Sequence, residues 1–251
     1  MNELTPSYGL GQTITIEGRQ SVLLNPNEGL IDEMLRNVKT AEVIPDIKLF
    51  SPHDGLLYDG SIPNLVNALT KAGAKIVSVV TKPEFKGSAE LFQQVRELLT
   101  HQMQIWKYCV TQEDLDEAAK NDAEITILVQ SFINESNLDL KSLVSHCRSL
   151  GMVPIVEVYD DKELDKAIEA DTKFIAVNSR NLKTGGSNFQ GALRLISQIP
   201  QDRIAFFFSN IQTREDVEKA YEAGAKAVLV SKSIEQAQDP FDKLQKLNGL
   251  S

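Results

Sequence analysis

The segment from Val153 to Thr184, VPIVEVYDDKELDKAIEADTKFIAVNSRNLKT, decides the fold of this chain. Two short runs rich in β-branched residues, Val153–Val158 and Lys173–Val177, flank one amphipathic helical stretch. A strand, a helix and a second strand within about 30 residues form a βαβ unit, in which the two strands are parallel. Polar residues follow each run directly, and parallel sheets carry their chemistry at the carboxyl ends of their strands. The segment therefore predicts a parallel sheet with a site at that edge.

The rest of the chain repeats this unit. Candidate strands begin 20 to 32 residues apart, at Val43–Lys48, Lys75–Val80, Met103–Tyr108, Ile125–Val129, Val153–Val158, Lys173–Val177, Ile204–Phe208 and Lys226–Val230. Eight such units, without a change of composition that would mark a linker, predict one closed (β/α)8 barrel, a TIM barrel of the α/β class. An open doubly wound sheet is the alternative, and the lack of a GxGxxG motif after the first strand disfavours it.

Capping signals delimit several predicted helices. Thr111 and Thr213 each precede a helical stretch that has aspartate three residues later, a pattern typical of a capping box. Gly73 and Gly224 lie at the centre of two nearly identical stretches, KAGAK (71–75) and EAGAK (222–226), and suit the left-handed conformation that follows a helix.

Residues 1–40 do not follow the repeat and are predicted to form an N-terminal extension to a barrel of residues 41–251. Gln12–Gly18 alternates and could pair with Ser21–Leu24 as a hairpin. Asn25-Pro26-Asn27 is typical of a turn, and Glu28–Val38 has the periodicity of a helix. This segment could either close the bottom of the barrel or pack over its mouth.

Composition narrows the classes of partner. A formal net charge of −9 and an isoelectric point near 5.0 argue against nucleic acid or an anionic membrane as the main partner. No apolar run reaches the ~18 residues of a transmembrane helix, and the first residues lack the features of a signal peptide. Cys109 and Cys147 have no metal-site spacing, so we expect reduced thiols in a cytoplasmic protein.

Polar and ionisable residues stand at the ends of the predicted strands: Lys48, Thr81, Lys107, Glu157, Asn178 with Arg180, and Ser209. In a barrel these ends meet at one mouth, where desolvated charges need partners. A lysine and a glutamate that influence each other can perform acid and base steps near neutral pH. The alternative is that Lys48 and Glu157 form only a structural ion pair.

The sequence around these strand ends resembles the indole-3-glycerol-phosphate synthase family, from about Val43 to Pro240. The motifs that carry the resemblance are DIKLFSPHDG (46–55), TKPEFKGS (81–88), VEVYDDKEL (156–164), VNSRNLKT (177–184) and SNIQTREDVEKAYEAGAKAVLVSKSI (209–234). Together they are specific, whereas any one of them alone is short.

The resemblance implies a lyase of tryptophan biosynthesis that needs no metal or organic cofactor. It would convert 1-(2-carboxyphenylamino)-1-deoxyribulose 5-phosphate to indole-3-glycerol phosphate, with loss of carbon dioxide and water. The resemblance implies Lys107 as general acid, Glu157 as general base, and Lys48 as the residue that orients the substrate and assists proton transfer.

The same resemblance implies the substrate-binding residues Asp46, Ser51, Phe85, Asn178, Arg180, Ser209, Asn210, Ser231 and Lys232. Asn178 and Arg180 would hold the reacting part of the substrate and its carboxylate. Phosphate would bind near Ser51, Asn210, Ser231 and Lys232. We expect a phosphorylated, anionic small molecule as the ligand and a monomer or homodimer.

Several positions depart from the family pattern. Asp46 stands where the family usually has glutamate, Tyr108 and Cys109 replace Asp-Phe, Phe208 and Asn210 replace a glutamate and a glycine, and Ser231 replaces another glycine. Close approach of a backbone to phosphate favours glycine, although Asn210 tolerates the left-handed region and Lys232 could compensate by its charge.

Residues 1–40 also do not resemble the family's usual helical extension, which helps to form the aryl pocket. Two alternatives therefore stay open. One is an enzyme with the same acid and base that acts on another phosphorylated or carboxylated substrate, as an isomerase or a Schiff-base lyase. The other is a barrel that has lost turnover and serves as a binding protein.

Overall fold

The computed structural model describes residues 13–16, 19–22, 26–136 and 138–250. The strands are β1 Thr13–Ile16, β2 Arg19–Val22, β3 Glu42–Ile47, β4 Phe50–Ser51, β5 Gly55–Leu56, β6 Ile76–Val80, β7 Met103–Cys109, β8 Ile125–Val129, β9 Val153–Val158, β10 Phe174–Asn178, β11 Ile204–Phe208 and β12 Ala227–Val230. The α-helices are α1 Pro26–Arg36, α2 Ile62–Lys71, α3 Ala89–Leu98, α4 Gln112–Lys120, α5 Gln130–Ile133, α6 Leu140–Ser149, α7 Asp161–Glu169, α8 Phe189–Ile196, α9 Arg214–Ala223, α10 Lys232–Glu235 and α11 Pro240–Asn248, and Pro83–Phe85 forms a 3-10 turn.

Eight parallel strands form a closed barrel in the order β3, β6, β7, β8, β9, β10, β11 and β12, and β12 pairs back with β3. This confirms the predicted (β/α)8 barrel and excludes the open sheet. The observed bounds of all eight strands agree with the predicted ones to within one residue. Helices cover the outside of the barrel and side chains fill its inside, so nearly every residue of the eight barrel strands is buried.

The barrel wall separates an inner core from an outer core. Ile44, Ile105 and Ile127 are among the inner side chains, and the outer core lies between the strands and the helices. Trp106 belongs to the outer core, where its ring lies 4.9 Å from that of Phe92 on α3. This confirms that Trp106 packs between barrel and helix, on the side opposite to the mouth residue that follows it.

The predicted capping signals are also present. Thr111 and Thr213 each form a capping box with the aspartate three residues later. Gly73 and Gly224 have φ angles of 92° and 118°, the left-handed values expected where these helices end. None of the helices in the described part of the chain is both long and apolar enough to cross a membrane.

Helix α1 closes the bottom of the barrel. Ile31 and Leu35 are buried in the inner core with side chains from the first residues of strands, such as Phe174 and Ile204. Glu28 is buried as well, and its carboxylate lies 2.9 Å from the guanidinium of Arg148. The helix therefore lies at the end of the barrel opposite to the carboxyl ends of the strands.

The extension differs in part from the prediction. β1 and β2 pair antiparallel, which confirms a hairpin, although the remaining residues of its predicted strands lie outside the described ones. The predicted turn was wrong at Pro26 and Asn27, because both belong to the first turn of α1; proline fits there since the first helical position needs no N–H donor. Asn25 lies outside the described residues, and the domain boundary at residue 40 stays a prediction.

Candidate active site

A cavity of about 840 Å³ opens at the carboxyl ends of the barrel strands. Of the residues predicted for the site, it is lined by Asp46, Lys48, Ser51, Phe85, Lys107, Arg180, Ser209, Asn210, Ser231 and Lys232. Glu157 and Asn178 do not line it; they are buried beside it, with 2% and 3% of their surfaces exposed. A cavity of this size can enclose most of a small metabolite.

Lys107 on β7 and Asp46 on β3 form a buried ion pair. The Lys107 ammonium lies 3.1 Å from the Asp46 carboxylate, and the two side chains are 6% and 2% exposed. Burial lowers the pKa of Lys107, but attraction by Asp46, and more weakly by Glu157, outweighs it and raises that pKa well above its ordinary value. Lys107 therefore carries a proton that it can donate to a ligand in the cavity.

Glu157 on β9 is held by Asn178 on β10. The Asn178 side-chain amide donates to Glu157 Oε1 over 2.8 Å, while Oε2 has no hydrogen-bond partner among the described residues. Burial raises the pKa of Glu157, and Lys107 and the amide of Asn178 only partly oppose this. A buried carboxylate with one free acceptor oxygen and a raised pKa is a stronger base than an exposed carboxylate.

Lys48, directly after β3, has a different environment. Its ammonium forms no ion pair with a residue in the described part of the chain, so the expected alternative of a structural Lys48–Glu157 pair is wrong. Burial and the positive charge of Lys107 lower the pKa of Lys48. The two lysines of the mouth are therefore shifted in opposite directions, because Asp46 neutralises Lys107 directly.

One wall of the cavity is aromatic. The rings of Phe85 and Tyr108 stack with centroids 5.2 Å apart, and the Lys107 ammonium lies 4.8 Å from the Tyr108 centroid and 5.4 Å from that of Phe208. Strict alternation along β7 would direct Tyr108 outward. The pairing of β7 with β8 shifts by one residue after Lys107, and both Lys107 and Tyr108 line the cavity. Tyr108 was missed as a site residue because this shift leaves no signal in the sequence.

The loop after β11 adopts an unusual backbone. Ser209 and Asn210 both have positive φ angles, 70° and 58°, although neither is glycine. The Asn210 amide donates to the hydroxyls of Ser179 and Ser187, over 2.7 Å and 3.2 Å, and these bonds hold the loop in place. The left-handed conformation expected at Asn210 is confirmed, and Ser209 shares it.

Arg180 and Lys232 lie on two sides of the cavity mouth and bind the same carboxylate. Asp54, in the turn between β4 and β5, accepts from Arg180 and from Lys232, each over 2.8 Å. Burial alone would raise the pKa of Asp54, but the hydrogen bond from Lys232 and the charge of Arg180 lower it to about 2. Sequence reasoning missed Asp54, which is not near either cation along the chain.

A second missed residue, Glu235 of α10, lies beneath the mouth. Its Oε1 accepts from the backbone N–H of Lys48, and its Oε2 accepts from the Ser231 hydroxyl over 2.9 Å. Burial raises the pKa of Glu235 to about 8, opposed by the Lys48 hydrogen bond and increased by the charge of Asp46. Nothing in the helical stretch around this residue signals that its carboxyl group is buried.

Comparison with known proteins identifies relatives of this chain. The family model described as indole-3-glycerol phosphate synthase matches residues 13–247, a longer stretch than Val43 to Pro240. The match therefore includes most of the segment that was expected to lie outside the resemblance. The indole-3-glycerol phosphate synthase of Polaromonas sp. strain JS666 is 31% identical over 210 residues, which cover 83% of this chain and 79% of that protein.

A second relative, the indole-3-glycerol phosphate synthase of Desulfosudis oleivorans, is 30% identical over 207 residues, which cover 82% of this chain and 78% of that protein. A solved structure of 3-hexulose-6-phosphate synthase is similar with a TM-score of 0.65 at 14% identity, and covers 83% of this chain and 99% of its own. At that identity the similarity shows the barrel fold alone.

Proposed function

The chain belongs to the indole-3-glycerol phosphate synthase family, and from this premise we propose that it converts 1-(2-carboxyphenylamino)-1-deoxyribulose 5-phosphate to indole-3-glycerol phosphate. The family supports a lyase of tryptophan biosynthesis, and the carboxy-lyase reaction is the finer part of the proposal. The observation that carries it is the buried Lys107–Asp46 pair beside Glu157, at the carboxyl ends of the barrel strands. An acid and a base held this close in a desolvated site can serve successive proton transfers.

In this proposal Lys107 is the general acid. Its ammonium protonates the ketone oxygen of the substrate while the ring carbon that bears the carboxylate attacks the ketone carbon. Carbon dioxide then leaves, and its bonding electrons restore the aromatic ring. The raised pKa of Lys107 supports this role, because the side chain holds its proton until a developing oxyanion becomes the better acceptor.

Glu157 is the general base in the same proposal. The hydroxyl formed at the ketone carbon takes a proton from Lys48 and leaves as water, and the neighbouring carbon loses a proton that the unpaired oxygen of Glu157 accepts. Asn178 positions Glu157 through the 2.8 Å hydrogen bond rather than contacting the substrate directly, which refines the role implied by the resemblance. Lys48, whose ammonium forms no ion pair with a described residue, is available to orient the anionic substrate and to assist proton transfer.

The remaining cavity residues are assigned to binding. Phe85 and Tyr108 offer an aromatic wall for the substrate ring, since stacked rings attract each other. Arg180 is assigned to the substrate carboxylate. Phosphate is assigned to the side of the mouth formed by Ser51, Ser209, Asn210, Ser231 and Lys232, where hydroxyl and amide groups stand beside the ammonium of Lys232. The partner is thus a phosphorylated, anionic small molecule.

Steady-state kinetics of three variants test these roles, with the fluorescence of indole-3-glycerol phosphate as the signal. Lys107→Ala and Glu157→Gln should lower kcat by about 100-fold or more, the range of a lost acid or base. Arg180→Ala should mainly raise KM. Lys75→Ala removes an exposed lysine at the bottom of the barrel and is the matched control, with unchanged kinetics expected. Equal, small effects in all four variants would contradict the assignment.

A second candidate function keeps the same barrel mouth but uses Lys48 as an amine nucleophile. The lowered pKa of Lys48 favours it, as does the absence of an ion pair to any described residue, because an amine attacks a carbonyl carbon only when it is unprotonated. Phe208, in place of the family's glutamate, also makes the mouth less acidic. Borohydride reduction in the presence of phosphorylated ketoses should then trap an adduct in the wild type and none in Lys48→Ala. The absence of an adduct with each ketose tested would exclude this function for it.

A further inference from the structure

Two cations proposed to bind the ligand are already occupied by a carboxylate of the protein itself. Asp54 Oδ1 accepts from Lys232, and Asp54 Oδ2 accepts from Arg180, each over 2.8 Å. The hydroxyl of Ser51 also donates to Asp54 Oδ2, over 3.1 Å. The Asp54 carboxylate therefore lies between the two proposed anion-binding groups and contacts both.

The partners of Asp54 come from three separate parts of the barrel mouth. Arg180 follows β10, Lys232 begins α10 after β12, and Asp54 lies in the short turn that joins β4 to β5. All three line the same cavity. The Asp54 and Arg180 side chains are only 16% and 21% exposed, so water screens their ion pair less than it screens a fully exposed one. A phosphate or carboxylate group of a ligand that approaches both cations competes with the oxygens of Asp54 for them.

The turn that carries Asp54 can move without unfolding the barrel. β4 and β5 pair through only two residues each, Phe50 with Leu56 and Ser51 with Gly55. Ser51 Oγ accepts from the backbone N–H groups of His53 and Asp54, over 3.3 Å and 3.2 Å, and these local bonds can move with the turn. Displacement of Asp54 then breaks its two ion pairs and leaves the strands of the barrel intact.

We propose that Asp54 is a specificity-determining residue that acts as an internal competitor for the anion-binding groups Arg180 and Lys232. A ligand is selected when its anionic groups attract these cations more strongly than one carboxylate does. A phosphate dianion meets that condition at Lys232 and thereby frees Arg180 for the carboxylate of the same ligand, whereas a monoanionic carboxylate alone only equals Asp54 in charge. The inference rests on the proposed function in taking the ligand to be a phosphorylated anion, but competition for the two cations can be measured without turnover.

The test is the affinity for inorganic phosphate and for acetate, measured by isothermal titration calorimetry on the full chain. Asp54→Asn should bind phosphate about tenfold more tightly than the wild type, the ratio expected from two partly exposed ion pairs. Acetate binding should become measurable in the same variant. Asp59→Asn, which removes an exposed carboxylate between β5 and α2, is the matched control and should bind phosphate like the wild type.

A further variant shows where the anion binds. Adding Lys232→Ala to Asp54→Asn should abolish the gain in phosphate affinity, and circular dichroism of each variant checks its fold. Unchanged or weaker phosphate binding by a folded Asp54→Asn variant would overturn the proposal, and so would a gain that survives the loss of Lys232. If the wild type forms no indole-3-glycerol phosphate but Asp54→Asn still binds phosphate more tightly, the proposed function fails while the role of Asp54 stands.

Discussion

Replacing Asp46 with asparagine removes the charge that neutralises Lys107 and leaves a polar side chain of almost the same shape. The ammonium and the carboxylate are 3.1 Å apart and nearly fully buried. At an effective dielectric constant of about 20, charges at that distance attract each other by about 5 kcal/mol. Breaking one partner of a buried pair typically costs about 3–5 kcal/mol, because the other charge is left without compensation. Since Glu157 still attracts Lys107, we expect the lower end of this range.

Urea unfolding at pH 7 measures this loss directly. Asp46→Asn should lower the free energy of unfolding by about 3 kcal/mol, and Asp46→Glu should lower it less, because it keeps the carboxylate that the family usually has there. Glu42→Gln breaks a pair with Lys75, whose side chain is 57% exposed, and should cost less than about 1 kcal/mol. If Asp46→Asn cost no more than Glu42→Gln, the reasoning about the buried pair would be refuted.

Three other measurements test individual groups of the site. Glu235 keeps its proton in the folded chain up to about pH 8 but releases it near pH 4.5 when unfolded, so the free energy of unfolding should decrease as the pH rises from 4.5 to 8. Urea titrations should show a smaller decrease in Glu235→Gln, and equal slopes in both proteins would contradict the buried carboxyl group. Because the pKa of Glu157 is raised above 4.5, the acid limb of kcat/KM should lie above that pH, with activity lost as the pH falls through it; a pH–rate profile with the limb at or below 4.5 would contradict the base role. Ser209→Gly should raise the melting temperature slightly, since glycine adopts a φ of 70° without strain, whereas Ser209→Val should lower it clearly. Differential scanning calorimetry measures both shifts, and equal shifts in the two variants would contradict backbone strain at Ser209.

The barrel could be predicted because its signals are local in the sequence. Each strand is a short apolar run, and each helix begins and ends at residues such as Thr213 and Gly224 that satisfy or terminate its backbone hydrogen bonds. The closed order of strands follows once eight such units are present, since parallel strands joined by helices pair with their neighbours. The position of α1 needed the structure, because an apolar helix face fits either end of a barrel.

The site could be predicted where one residue at a strand end decides the chemistry, as for Lys107 and Glu157. It could not be predicted where distant elements meet. Asp54 lies 126 residues from Arg180 and 178 from Lys232, and no local pattern relates them. Tyr108 faces the cavity because two strands shift in register, which is a property of their pairing.

Three predictions from the sequence stay predictions: the boundary of the extension at residue 40, the cytoplasmic location, and the monomer or homodimer. The roles of the site residues also remain proposals. Phe208 is the departure from the family pattern that bears most on these roles, because it places an aromatic ring instead of a carboxylate near the Lys107 ammonium. The proposed chemistry therefore depends on Glu157 and Asp46 as the carboxylates next to Lys107.

The most direct test of the account is the release of carbon dioxide from 1-(2-carboxyphenylamino)-1-deoxyribulose 5-phosphate labelled in its carboxyl carbon. Wild type and Lys107→Ala are compared side by side, and circular dichroism verifies that both are folded. We predict one labelled carbon dioxide for each indole-3-glycerol phosphate formed by the wild type, and almost none from the variant. No release by the folded wild type, or the same rate from both proteins, would contradict the claim that Lys107 is the general acid of this reaction.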